Sequence, residues 1–357
     1  MDYYFYIITI IDVFVLGIMC VLTKCNEMLS LKQKYWLTGA FVLIIVISLL
    51  EMTTVIVNGA PSEFRWIHIL ANYLGFGLSP AVPICLSFSL KENRANKLLI
   101  IAQLAYMALL AVSVPFGAIF CVDADNCYMR GNFFELYVAA YYISTIYLLV
   151  STVRVAGKYQ NRGRNCVFLI VAFLLLCTMI QVAFPQVHIA WFCVSLLAIV
   201  YSVYCNIMWQ QLDGLTGLLN QNSYLNKTVS LNHDMILIVF DIDDFKQIND
   251  NCGHTAGDRC LKETADCIKK AYSNDGLCYR IGGDEFCVLL NVNADKQKCD
   301  EALTDELNER RKLLDKLPYV SFGSALFKAG DNVDRVKEIA DRNMYQMKKS
   351  HKNTQAE

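Results

Sequence analysis

Two short stretches in the second half of the chain place carboxylates where they would do chemistry. In "MILIVFDIDDF" the apolar run at residues 235–240 suits a buried strand, and it ends in Asp241, Asp243 and Asp244. Carboxylates alternating at a strand end, with a backbone carbonyl exposed between them, form a site for a hard cation. Mg2+ takes one or two such carboxylates and shares its other positions with phosphate and water. In "RIGGDEF", residues 280–286, Gly282 and Gly283 precede Asp284 and Glu285. The flanking "LCYRI" and "FCVLL" read as two strands of a hairpin joined by "GGDE". Its glycines permit close backbone approach and positive φ, which clears space for a phosphate or ribose. Adjacent carboxylates repel unless a cation relieves them. The pair of motifs therefore predicts a divalent-cation site where a second strand end brings Asp241 alongside the hairpin. A lone acidic turn would read as solvent-exposed; its coincidence with "DIDDFK" argues otherwise.

The elements that position these residues fall in an ordinary soluble α/β segment. Asp213 is expected to cap the next helix, and residues 261–271 read as a helix with lysines on one face. The rest of the chain is different. Of 357 residues, 55% are hydrophobic and only 18% charged, too oily for a soluble protein, and the excess lies in residues 1–208. A bilayer span needs about 20 apolar residues. Seven runs of that kind are expected near residues 3–23, 36–58, 66–90, 97–120, 133–154, 166–185 and 187–208, the last two joined through "FPQVH". Loops on one side carry Lys24, Lys32, Lys34, Lys91, Arg94, Lys97, Arg154, Lys158, Arg162 and Arg164; the other side holds only Arg65 and Arg130. The basic bias puts the N-terminus outside and the second half in the cytoplasm. This predicts a multi-pass protein of the cytoplasmic membrane in contact with lipid, with a sensor at 1–208 and a soluble domain at 209–357. The net charge of −1 gives no case for nucleic acid as a partner. The fifteen cysteines show no CxxC pair and no metal-ligand spacing.

Ionisable and polar residues inside spans are costly and suggest function by default. Asp12, Glu51, His68 and Asn72 are such residues. Glu51, His68 and Asn72 fall toward the outer leaflet, either as a pocket for a small-molecule or proton stimulus or as a cluster that ties helices together. Cys121 and Cys127, in "CVDADNC", lie outside, where a disulfide is allowed. The run "HILANYLGFGLSPAVPICLSFSL" resembles the seven-helix sensor region at the N-terminus of some histidine kinases.

Residues 213–353 resemble the GGDEF domain of diguanylate cyclases. The likeness rests on "DGLTGLLN", "FDIDDFKQINDNCGHTAGD", "YRIGGDEF" and "ADRNMYQMKKSHKN", in that order and spacing. It implies an α/β (α+β) palm-like nucleotidyl-cyclase fold with a central, mainly antiparallel sheet, behind an all-α seven-helix transmembrane bundle. It also implies the reaction: two protomers each hold one GTP, and each 3′-hydroxyl attacks the other's α-phosphate, giving cyclic di-GMP and two pyrophosphates. By the same resemblance Asp241, Asp284 and Glu285, with the carbonyl of Ile242, would hold two Mg2+ or Mn2+ ions per site, and Glu285 would bind metal or deprotonate the 3′-hydroxyl. Asn249 and Asp258 would bind the guanine edge. Lys246, Lys348 and Lys352 would contact phosphates, with Phe245, Gly282 and Gly283 also against the substrate. Lys352 stands where the family often has Arg, Gln221 where many members have Arg, and Asp244 where Phe is common. Ser273 and Gly276 replace the RxxD product-binding pair, which implies no product inhibition there. Asp258, rather than Ser, favours cyclic di-GMP over a mixed dinucleotide.

The expectation is a receptor-enzyme that works as a homodimer. No Gly/Ser-rich linker follows the last span, so that helix would act as a lever on the domain. The alternative is a catalytically inactive receptor whose domain binds GTP or a partner protein. A transporter is weaker, because no internal repeat or pair of broken helices is evident.

Overall fold

Long apolar sequences with no strand-breaking alternation become helices, and the first part of the chain is built from them. The computed structural model describes residues 2–27, 29–90, 97–160, 164–184, 188–313 and 317–356. Lys91, Arg94, Arg162 and the centre of "FPQVH" lie outside these residues. The chain divides into two compact units, Met1–Trp209 and Gln210–Glu357.

The first unit holds α1 (Asp2–Cys25), α2 (Leu31–Val57), α3 (Arg65–Leu78), α4 (Ala81–Phe88), α5 (Lys97–Ser113), α6 (Phe134–Lys158), α7 (Arg164–Ala183) and α8 (Ala190–Gln210). Among the described residues, six helical segments are long and apolar enough to cross a membrane; the sixth expected span contributes the shorter stretch Asn165–Ile180. The third expected span is broken between α3 and α4 at Ser79 and Pro80. Pro80 has no N–H for the Phe76 carbonyl. Tyr106 of α5 donates to that carbonyl at 3.3 Å, and Gln103 donates to the Gly77 carbonyl at 2.6 Å, so the break is satisfied from a neighbouring helix. The fourth span also ends earlier than expected. After Ser113 a 3-10 turn contains Pro115, and the chain enters a hairpin of β1 (Phe120–Val122) and β2 (Tyr128–Arg130).

The two cysteines of the expected disulfide lie in that hairpin. Cys121 pairs with Met129 across the ladder, whereas Cys127 lies opposite Asp123. The two cysteines are diagonal neighbours across the ladder, and both are free thiols.

The second unit contains α9 (Gln221–Val229), β3 (Met235–Ile242), α10 (Phe245–Cys252), α11 (His254–Tyr272), β4 (Gly276–Arg280), β5 (Glu285–Asn291), α12 (Lys296–Leu313), β6 (Val320–Phe327) and α13 (Val333–Ala356). Its strands form one antiparallel sheet in the order β4-β5-β3-β6. Period-two alternation sends Ile238, Phe240, Phe286 and Val288 into one core with α11 and α12, and Leu237, Val239, Cys287 and Leu289 into another with α9 and α13. Both faces are covered, which is why the strands read as unbroken apolar runs. Asp213 caps no helix. Its Oδ1 accepts from the Thr216 backbone (2.8 Å) and hydroxyl (2.6 Å), while Asn220 caps α9.

Candidate functional site

The register of the sheet assembles the acidic site. β3 and β5 pair so that Asp241 lies directly opposite Glu285, at the end of β3 and the start of β5. Phe240 and Phe286, the neighbouring pair, are fully buried and anchor both carboxylates to the core. Glu285 therefore belongs to the strand, and the turn comprises residues 281–284. The turn closes with the backbone N–H groups of Ile281 and Gly282 donating to the Glu285 carbonyl at 3.0 and 3.3 Å. Neither turn glycine uses a left-handed φ. A Cβ on Gly282 would lie 3.1 Å from both Cβ and Oε2 of Glu285, so this glycine makes room for the carboxylate of its own motif. Only Gly283 faces open space.

Arg280 holds the turn. Its Nε and Nη2 donate to the Gly283 carbonyl at 3.2 and 2.7 Å, and its Nη1 pairs with Asp213 Oδ1 at 3.1 Å. Burial acts to raise the Asp213 carboxyl, but the Thr216 donors and Arg280 outweigh it and hold Asp213 below the usual carboxylate range. Neither residue had been singled out for this clasp. The only sequence signal is their membership of the motifs "DGLTG" and "YRIGGDEF".

The three aspartates after β3 separate. Asp241 bonds the Lys348 ammonium of α13. Burial pushes its carboxyl up, Lys348 opposes this, and Asp284 and Asp243 add to the rise. Lys348 is also held above its ordinary value: burial acts against the charge, but Asp241, then Asp243 and Asp284, outweigh it. Asp241 rises chiefly through burial, and Lys348 through the carboxylates around it. Asp243 is buried; its oxygens accept from Ser321 Oγ at 2.8 and 2.9 Å, and Nδ1 of His351 lies 2.9 Å away. Asp244 takes a left-handed φ of 53° at the start of α10. The expected three-carboxylate cation site thus reduces to Asp241 with the hairpin carboxylates. Among the described residues no three His, Cys, Asp or Glu side chains form a metal cage. Asp241 and Glu285 in register, with Asp284 beside them, still make a set of hard oxygens that fits a divalent cation completed by phosphate and water, and the Lys348 ammonium against Asp241 shows that positive charge is held there.

The remaining expected substrate residues flank this edge. Lys246 and Asn249 lie on α10, and Asp258 follows the first turn of α11. The two helices turn at Gly253, whose φ of 81° suits glycine, and a Cβ on Gly257 would sit 2.1 Å from Asn249 Oδ1 and 3.2 Å from Phe245. The close approach of Asn249 to the turn before Asp258 thus depends on Gly257. Ile242 is buried at the end of β3. The side chain of Lys352 lies outside the described residues. Ser273 ends α11, and Gly276 begins β4.

In the first unit, Glu51, His68 and Asn72 all line one cavity of about 770 Å³. Asn72 Nδ2 donates to the His68 carbonyl at 2.9 Å, and Glu51 Oε1 lies 3.3 Å from His188 Nδ1. His68 Nδ1 lies 3.0 Å from Asn126 Oδ1. Asn126 and His188 sit in connections whose sequence gave no sign of this role.

Residues 210–354 match the family model described as diguanylate cyclase, GGDEF domain. Over 155 residues the chain is 34% identical to the diguanylate cyclase DgcS of Shewanella oneidensis, covering 41% of this chain and 52% of that protein. Over 166 residues it is 28% identical to the probable diguanylate cyclase DgcJ of Escherichia coli, covering 44% of this chain and 33% of that protein. A solved structure of the GGDEF domain of DgcB from Caulobacter crescentus in complex with c-di-GMP is 28% identical, covers 40% of this chain and 89% of that chain, and has a TM-score of 0.36. The chain thus spans about half the length of DgcS and a third of DgcJ. The match to the family model falls within the second unit.

Proposed function

We propose that the protein is a membrane-bound diguanylate cyclase that condenses two GTP into cyclic di-GMP and two pyrophosphates under control of its apolar first unit. The observation that carries this reading is the pairing of Asp241 with Glu285 across β3 and β5, at the "GGDEF" hairpin. Several apolar helices of spanning length support the membrane location, and seven spans with the N-terminus outside remain the reading of the loop charges.

Asp241, Asp284, Glu285 and the Ile242 carbonyl would hold Mg2+ or Mn2+, two ions per site. Such ions lower the pKa of the attacking hydroxyl and neutralise charge on the departing pyrophosphate. The chain's own residues do the rest. Lys348, poised on Asp241, would move its charge to a triphosphate oxygen once the carboxylate is otherwise engaged. Lys246 would take another. Asn249 and Asp258 would read the guanine edge, rejecting adenine because a mismatch leaves buried polar atoms unpaired. Glu285 would accept the 3′-hydroxyl proton or help bind metal. One domain holds one GTP, so a homodimer must bring two sites face to face. The absence of a Gly/Ser-rich stretch after Gln210 supports direct coupling from α8.

The test is full-length protein in nanodiscs with GTP and Mg2+, followed by mass identification of the product beside Asp284→Ala. Cyclic di-GMP from the parent and none from the variant is expected. GTP binding without product, in both the full chain and a forced dimer of residues 209–357, would overturn the reading.

A further inference from the structure

The cavity in the first unit is built mostly from one end of its helices, where α1, α3, α6 and α8 begin and α2 ends. Its volume of about 770 Å³ lies in the range of small-molecule sites. Beside hydroxyl donors such as Tyr141 and Tyr142, the wall holds a carboxylate and two side-chain acceptors at Glu51, His68 and Asn72. Asn126 Nδ2 donates to the carbonyls of Val57 (2.7 Å) and Ala60 (3.1 Å), which fixes its amide orientation. Asn126 Oδ1 must then accept from His68, so Nδ1 of His68 carries the hydrogen. His68 is fully buried, and its Nε2 has no partner. In the neutral ring this atom is a bare lone pair that calls for a donor. Asn72, one turn on along α3, gives its Nδ2 to the His68 carbonyl, which turns Oδ1 away from it. Glu51 adds a carboxylate whose side chain is only 14% exposed. The apolar wall includes Phe5, Phe76, Tyr137 and Trp191. Arg130 also lines the cavity, but its guanidinium donates to the Val182 carbonyl at 2.6 Å and lies 4.6 Å over the Phe134 ring, which commits it to the wall.

We propose that this cavity binds a small organic ammonium ion with an apolar or aromatic body, its N–H groups meeting Glu51 and the acceptors of His68 and Asn72. Three ammonium donors match three acceptors, and aromatic faces attract the cation. An anionic ligand would set its charge against Glu51. The inference rests on reading this cavity as the input site of the receptor and names the chemistry of that input.

The experiment measures binding to full-length protein in nanodiscs by calorimetry, without GTP, using probes that share one body and differ in charge: phenethylamine, 2-phenylethanol and phenylacetate. Saturable binding of phenethylammonium alone is expected. Glu51→Gln and His68→Phe should each weaken it about tenfold or more, as expected when one partner of a buried charged contact is removed. Glu51→Asp, which keeps the charge, should restore it to within a few-fold and so separates charge from folding. Equal binding of the alcohol or the acid, no binding of phenethylammonium, or unchanged binding in Glu51→Gln would overturn the proposal. Because binding is read without GTP, its failure leaves the cyclase reading standing. Binding that leaves cyclic di-GMP output unaltered would instead overturn the input reading.

Discussion

Asp241 and Glu285 face one another across a single strand pairing, whereas Glu51, His68 and Asn126 come from two helices and a hairpin turn. Both places gather polar side chains against apolar surroundings. In the sheet, crowded carboxylates are fixed by the ladder, each preceded or followed by a phenylalanine in the core, so their geometry needs no partner to persist. In the helical unit His68 and Asn126 satisfy one another, and Nε2 of His68 is among the buried polar atoms left without a partner. The first arrangement suits a site that must hold highly charged substrate in a fixed place. The second suits a site whose occupancy changes how helices are tied together.

The sharpest break of this comparison is Asp284→Ala. If the hairpin is the catalytic centre, turnover should fall about a thousandfold or more, the several kcal/mol that metal-held charge supplies, as read by product mass. Gly282→Ala should follow at about a hundredfold, because the new Cβ displaces Glu285 and misplacement near 1 Å costs that much. Its melting temperature should change little, which separates site geometry from folding. Asp258→Ala should lower kcat/KM for GTP by about tenfold to a hundredfold and narrow the preference for GTP over ITP, since a lost hydrogen bond to guanine costs a few kcal/mol at most.

Asp213→Asn tests the clasp on Arg280. The folded carboxyl of Asp213 lies below its unfolded value, so its stabilisation is present above the unfolded value and is lost as pH falls through the folded one. The variant should be less stable by about 1–2 kcal/mol at neutral pH, and the gap should close in acid, in denaturant titrations of residues 209–357. The smallest effect expected is none: with Ser273 and Gly276 at the RxxD positions, micromolar cyclic di-GMP should leave the initial rate unchanged. Inhibition there would mean that the domain senses its own product and relies less on the first unit.

The acidic site was largely legible in the sequence because its parts lie within contiguous motifs. A strand ending in "DIDD" and a hairpin at "GGDE" dictate where carboxylates emerge, and the sheet needed only one register to join them. The same reading could not show how the strand-end aspartates differ. Nothing local reveals that Asp243 is taken by Ser321, almost eighty positions away, and by His351. Asp213 looked like a helix cap because Asp is a good one, yet its partner, Arg280, is distant in sequence. In the helical unit, apolar run length located the helices to within a few residues, and Pro80 marked a break whose repair by Tyr106 and Gln103 the sequence did not show.

By itself, then, the sequence determined the apolar and soluble halves, the helix and strand periods, and the identity of the charged residues at the hairpin. These follow from hydrophobic pattern and short-range backbone chemistry, which act within a few residues. Only the tertiary structure decided which carboxylates remain unclaimed, that Gly282 yields its space to Glu285, that Cys121 and Cys127 stand off register, and that His68 is buried with one nitrogen unsatisfied. Each depends on hydrogen bonds and contacts between distant segments, and such pairings are fixed by packing rather than by local preference.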